Sequence, residues 1–216
     1  MSFSRQEIAH LQDIVRSMQE TRFGGVWPSE YVRLYKRWGY FNRVYDVLYN
    51  DPQEWMRIAR VALDNRFQGL SDRLINGPSL KQLANLPCVG DGRSNYEPKA
   101  HIRIAFQTLR QTFDIPLDEV CNKRVCTERQ TRGWVPCYIY SWPNPPAKIA
   151  RPEDAVYTPL GAALAITYQV RNNLFHGSKM QMRRRDIELV ALTAEIVKEV
   201  LEEIARTFEE GARYAG

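Results

Sequence analysis

The stretch Ile187–Phe208, IELVALTAEIVKEVLEEIARTF, sets Ile187, Val190, Ala194, Val197, Leu201, Ile204 and Phe208 at steps of three and four residues. That spacing puts these side chains on one face of an α-helix, as in the seam of a helical bundle. Gly211 follows and predicts the end of the helix. Beside the seam runs a second apolar row, Leu189, Leu192, Ile196 and Val200, wider than one bundle contact needs, so part of it is expected to face a partner. The resulting expectation is an all-α fold, with the other elements read outward from this helix.

Immediately upstream, Thr158-Pro159 is a helix start, with Thr as the cap and Pro at the first helical position. Leu160, Leu164, Tyr168 and Phe175 give this second helix an apolar stripe, and Gly177-Ser178 supplies the left-handed residue that stops it. Before it, residues 114–158 lose the helical period and carry Pro116, Pro136, Pro143, Pro145, Pro146 and Pro152, so they read as an irregular, proline-rich insertion. Tyr138-Ile139-Tyr140 is β-prone, but prolines on both sides limit any strand there. Ala100 to Phe113 is expected to be helical, with Ile102, Ala105 or Phe106, Leu109 and Phe113 on one face and His101 in a structural place beside it.

The first half of the chain is also helical in pattern. Asp51-Pro52 reads as a cap and first helical residue, followed by Trp55, Ile58, Ala62 and Leu63 in a helix expected to run to Ile75, where Asn76-Gly77-Pro78 ends it. Between Glu30 and Tyr49, Tyr31, Tyr35, Trp38, Tyr40, Phe41, Tyr45 and Tyr49 interleave with Arg33, Lys36, Arg37 and Arg43. Two readings stand for this segment: a packing helix with a basic outer face, or a stacking platform for single-stranded nucleic acid. Ile8, Leu11, Val15 and Met18 predict a helix before Gly24-Gly25. The organisation expected is a single domain over 1–216, with a helical N-terminal extension (1–50), bundle helices (51–113), the insertion (114–158), and two closing helices (159–216).

A chain of 216 residues suffices for one sizeable domain, and 44% hydrophobic with 25% charged residues is a globular composition that leaves little room for extended disorder. No apolar run approaches the roughly 18 residues needed to span a bilayer, and MSFSRQEIAH lacks the apolar stretch of a signal peptide, so a cytoplasmic, non-membrane protein is expected. Cys88, Cys121, Cys126 and Cys137 are spaced C-x32-C-x4-C-x10-C, without the paired short spacings of a zinc site, and are expected to be reduced thiols. From Leu160 onward, eight Lys or Arg balance eight Asp or Glu, so the net charge of +5 arises upstream. Within the balanced part, Lys179, Arg183, Arg184 and Arg185 form a local basic knot that is either a solvated face or, beside a phosphate-handling site, a recruiter of nucleic acid.

Of the three histidines, His176 alone lies in a phosphate-handling constellation, with Arg171 five residues and Asn172 four residues before it. Imidazole titrates near neutral pH and can move a proton, and a guanidinium can hold phosphate oxygens through two parallel bonds. Residues five apart on a straight helix diverge by about 140°. Arg171 and His176 therefore converge on one phosphate only if the helix end is distorted or a second copy completes the site. Without such chemistry, the same residues read as an arginine capping carbonyls and a histidine stabilised at a helix C-terminus.

The run Tyr168-Gln169-Val170-Arg171-Asn172-Asn173-Leu174-Phe175-His176-Gly177-Ser178-Lys179 resembles the signature of HEPN domains, in which an Arg and a polar residue precede a His at the end of a penultimate helix. It looks most like stand-alone HEPN proteins of prokaryotic defence and toxin systems, and the resemblance covers about Pro159 to Phe208. It implies a HEPN-like helical bundle, a homodimer formed through the motif helices, and metal-independent endoribonuclease activity without a cofactor. Transferred to this sequence, His176 would be the general base, Arg171 the phosphate ligand and Asn172 the residue that orients them. RNA would be the substrate, and an antitoxin or other regulatory protein a possible partner. HEPN toxins restrained by a nucleotidyltransferase typically carry a Tyr two residues after the His; Ser178 stands there, which disfavours that mode of control. The alternative is a non-catalytic HEPN module that binds RNA, a nucleotide or a protein.

Overall fold

The computed structural model describes residues 7, 9, 11, 12, 29–86, 100–116, 148, 149, 151–175 and 184–214. The fold is all-α: no strand occurs among the described residues, and none of their helices is long and apolar enough to cross a membrane. In chain order, α1 is Ser29–Leu48, α2 is Glu54–Leu63, a 3-10 turn spans Asn65–Phe67, and α3 is Gln68–Asn76. Then come α4 (Pro78–Asn85), α5 (Ala100–Thr112), a second 3-10 helix (Pro152–Tyr157), α6 (Pro159–Phe175) and α7 (Arg184–Tyr214).

The most extensive packing among these elements joins α1 to α7. The segment expected as an N-terminal extension is thus part of the bundle. Leu34, Trp38, Phe41, Val44 and Tyr45 form the buried face of α1, while Arg33 and Arg43 stay exposed and Tyr35 is 62% exposed. Most of the aromatic rings therefore serve helix packing. Arg37 fastens the two helices by donating from Nη1 to the Ala194 carbonyl and to Glu195 Oε1, each at 2.8 Å.

On α7 the expected seam is buried from Val190 to Phe208, and so is the second row, Leu189, Leu192, Ile196 and Val200. The surplus apolar surface assigned to a partner is consumed inside this chain, because α7 also packs against α4 and α6. Gly211 does not end the helix, which continues to Tyr214. A glycine weakens an exposed helix by about 1 kcal/mol, too little to stop so long a helix without a following breaker.

The helix expected to run from Pro52 to Ile75 starts later and breaks in the middle. Gln53 is its extended cap residue and α2 begins at Glu54. Asp51 instead accepts Arg57 at its carbonyl and pairs its carboxylate with Arg60. At Asp64, Oδ1 accepts the backbone N–H of Arg66 at 2.8 Å, a local bond that competes with the helical ladder and turns the chain. The Arg66 guanidinium and the Tyr49 hydroxyl complete the knot at 2.6 Å and 2.5 Å from Oδ2. Burial works against the Asp64 anion, yet the bonds from Arg66 and Tyr49 outweigh it and hold the carboxyl below its usual range.

Two further elements depart from expectation. Pro78 opens α4, whose Leu80, Leu83 and Ala84 enter the core, and the buried Arg110 of α5 caps its far end by donating to the carbonyls of Ala84 and Leu86, both at 3.2 Å. Residues 152–157, assigned to the irregular insertion, form a 3-10 helix with Ala155 and Val156 buried against α2, α5 and α6. The expected helix before Gly24, the Tyr138-Ile139-Tyr140 strand and all four cysteines lie outside the described residues, apart from helical positions 7, 9, 11 and 12.

One carboxylate makes stability sensitive to acid. Glu203 of α7 is 2% exposed and accepts Arg206 Nε at 3.0 Å and Arg73 Nη1, from α3, at 2.6 Å. The bond from Arg206 and then the charges of both arginines hold its carboxyl below the usual range, against burial. Since the folded-state value lies under the unfolded one, the stabilisation is complete above about pH 4.3 and is lost as pH falls through the depressed value. Melting temperatures measured from pH 7 to pH 3 should show Glu203→Gln less stable than wild type at neutral pH, with the difference shrinking in acid.

Candidate functional site

The helix that carries Arg171 and Asn172 is the central one. Leu160, Ala162, Ala163, Leu164, Ala165, Ile166, Thr167 and Val170 of α6 are all buried, which is more than the single stripe expected from sequence. The reason is that α5, α7, α2, α3 and the second 3-10 helix pack around it. Its start is fixed by Thr158, whose hydroxyl accepts the Gly161 N–H at 3.0 Å and donates to the Ala155 carbonyl at 2.8 Å. A side chain at position 161 would collide with that carbonyl, since a Cβ built there lies 1.9 Å from the Ala155 oxygen. From Tyr168 the helix leaves the core, and Gln169, Arg171, Asn172 and Asn173 are half-buried. The polar cluster therefore sits where a rigid, fully packed rod reaches the surface.

Three elements meet at this point. Tyr168 stacks between Trp38 of α1 and Trp55 of α2, with ring centroids 6.1 Å away on each side and planes inclined by 30° and 27°. One turn further, the Arg171 guanidinium lies over the Trp38 ring, 5.8 Å from its centroid, in cation–π range. Its Nη1 donates to Asn172 Oδ1 at 2.8 Å and to Glu54 Oε2 at 3.3 Å. Gln169 donates to Asn173 across the next turn at 2.7 Å.

Glu54 is shared. Its Oε1 accepts the Tyr45 hydroxyl at 2.6 Å, and that hydroxyl also contacts Asn42 Oδ1. As the first residue of α2, Glu54 also lies where the helix dipole favours negative charge. Burial, then the bond to Glu54 and its negative charge, push the Tyr45 phenol well above its usual range, so it remains a hydrogen-bond donor at any ordinary pH. Arg57 closes the far side, its guanidinium over the Tyr45 ring at 5.7 Å and its Nε 2.8 Å from Asp46. The result is a continuous polar path, Asn42–Tyr45–Glu54–Arg171–Asn172, laid over an aromatic floor.

Two of the residues expected from sequence, Arg171 and Asn172, are thus brought together. Arg184 and Arg185 fall in the first turn of α7. His176, Lys179 and Arg183 lie outside the described residues. Sequence reading missed Glu54, and it named Trp38 and Tyr45 only as members of the aromatic segment, without linking them to Arg171. Glu54 stands 117 residues before Arg171, and no local spacing couples them. The one available signal was a carboxylate at the mouth of a helix directly before Trp55.

In chemical terms the cluster offers a half-buried cation, 25% exposed, held over an aromatic ring and bonded to a carboxylate and an amide. Such an arrangement suits holding an anion in a defined orientation. No family model matches this chain, and no curated protein or solved structure is significantly similar to it.

Proposed function

We propose that the protein is a metal-independent endoribonuclease of HEPN type. His176 takes the proton from a ribose 2′-hydroxyl, and the resulting oxygen attacks the adjacent phosphorus while Arg171 binds the charge that develops on the phosphate. The bond to the 5′ oxygen breaks and that oxygen takes a proton from solvent, leaving a 2′,3′-cyclic phosphate and a 5′-hydroxyl. Asn172 holds Arg171, and Lys179, Arg183, Arg184 and Arg185 contribute attraction for the RNA backbone. The protein acts in the cytoplasm as a homodimer whose motif helices pair, in a defence or toxin setting where an antitoxin or other regulatory protein restrains it.

The observation that carries this reading is Arg171 itself. It sits at the surface end of the central helix, five residues before the histidine, and its guanidinium is aimed by Asn172 and Glu54. Preorganised charge at the reacting group is what phosphodiester cleavage without a metal requires.

A second reading, a non-catalytic module that binds RNA, a nucleotide or a protein, is favoured by the same ion pair, because Glu54 already neutralises Arg171 as it would in a purely structural role. Incubation of the pure protein with RNA in excess EDTA separates the two. Cleavage is expected, with cyclic phosphate ends, no cutting where the sugar 5′ of the scissile bond is 2′-O-methylated, and no activity in His176→Ala. Binding without cleavage supports the second reading. Full activity in His176→Ala removes the assignment of the base.

A further inference from the structure

We infer that Glu54 is a positioning residue of this site: resting on the ribonuclease reading, it sets the orientation of the Arg171 guanidinium without touching the substrate. The geometry is that of a fixed bracket. One carboxylate oxygen is tied to the buried Tyr45 hydroxyl at 2.6 Å, and the other receives Arg171 Nη1 at 3.3 Å. Tyr45 is 0% exposed, its ring is edge-on to Phe41 at 5.2 Å, and Arg57 covers its other neighbourhood, so the anchor of the bracket belongs to the core. Trp38, 2% exposed, lies under the guanidinium, with its ring centroid 5.8 Å from it. Together a rigid ring, a rigid carboxylate and the neighbouring Asn172 leave a long arginine side chain little of its rotamer freedom.

The carboxylate has a second consequence, which distinguishes positioning from mere support. Beside Arg171 it offsets part of the positive charge that a phosphate would meet, so it weakens ground-state binding while it improves alignment. Removing its charge but not its shape should let phosphate bind as well or better and react more slowly. A change that only loosened the fold would not separate the two effects in this way.

The test uses the full chain labelled with ¹⁵N and ¹³C at arginine, as wild type, Glu54→Gln and Tyr45→Phe, with Arg171→Lys to assign the Arg171 signals. In wild type the two Arg171 Nη groups should give separate resonances, because rotation about the guanidinium bonds is hindered; in Glu54→Gln they should merge. Tyr45→Phe removes only a hydroxyl from a ring that keeps its place, and should shift the signals in the same direction to a smaller extent. On a short single-stranded RNA, Glu54→Gln should lower kcat by about tenfold or more while KM stays constant or falls. Unchanged Arg171 signals in both variants, or an unchanged kcat in Glu54→Gln, overturns the inference. Should the wild type cleave no RNA, the ribonuclease reading fails, and the guanidinium spectra still decide whether Glu54 orients Arg171. Should Glu54→Gln not fold, Tyr45→Phe carries both measurements.

Discussion

Gly161→Ala should destabilise the protein by about 3 kcal/mol, at the upper end of what overpacking costs. For a chain of this size that corresponds to a fall in melting temperature of roughly 6–12 °C. The added methyl would lie 1.9 Å from the Ala155 oxygen and 2.5 Å from its carbonyl carbon. Both are main-chain atoms of a residue that is 0% exposed, so no side chain can rotate away to make room. The same oxygen accepts the Thr158 hydroxyl at 2.8 Å and the Thr158 N–H at 2.9 Å. Relief requires moving the second 3-10 helix off α6, which breaks the helix start and the contacts with α2 together. Gly39→Ala is the control: its methyl meets nothing within 4 Å on the exposed face of α1, and it should raise stability by up to about 1 kcal/mol through helix propensity. Thermal unfolding of both variants checks the pair; a Gly161→Ala protein as stable as wild type would mean that the two elements are not so closely opposed.

Arg171→Ala should reduce RNA cleavage by about two to three orders of magnitude, the usual loss when one preorganised donor to a developing negative charge is removed. Arg171→Lys should fall nearly as far despite keeping the charge, since an ammonium cannot present the planar fork of donors. Folding should survive. The Arg171–Glu54 pair is about a quarter exposed on each side, at 25% and 22%, so its loss should cost about 1 kcal/mol after solvent screening. Cleavage rates and melting curves on the same preparations separate the two effects. Wild-type rates in Arg171→Ala would sink the assignment of this residue to the phosphate.

What could be read from the sequence was what a single helix states about itself. The cap at Thr158-Pro159, the seam from Val190 to Phe208 and the apolar face of Ile102, Ala105 and Leu109 follow from periodicity and end chemistry, and the structure places each of them as read. Failures arose where a side chain acts against the period or across the chain. Asp64 lies inside a good helical pattern, and only its capture of Arg66 and Tyr49 turns the chain. The Leu189–Val200 row looked like surplus because sequence does not show how many neighbours a helix has. The candidate site was half legible for the same reason. Arg171 and Asn172 are adjacent and could be read together, whereas Glu54, Tyr45 and Trp38 reach them only through tertiary packing.

The pairing of α1 with α7 also governs how the chain arrives at this structure. Arg37 and Ala194 are joined across 157 residues, and the helices that carry them are each other's principal partners. Closing so long a loop adds little to the equilibrium cost, because that cost rises only with the logarithm of loop length. Its effect falls on the order of events: long-range pairings form late and slow the search for the native state. During synthesis the inner rings of α1 leave the ribosome long before α7 exists to cover them, and in that interval they are a sticky surface for other chains or for a chaperone. The helix bearing Arg171 also packs against α7, so the docking of α7 covers one side of the helix that carries the candidate site as well.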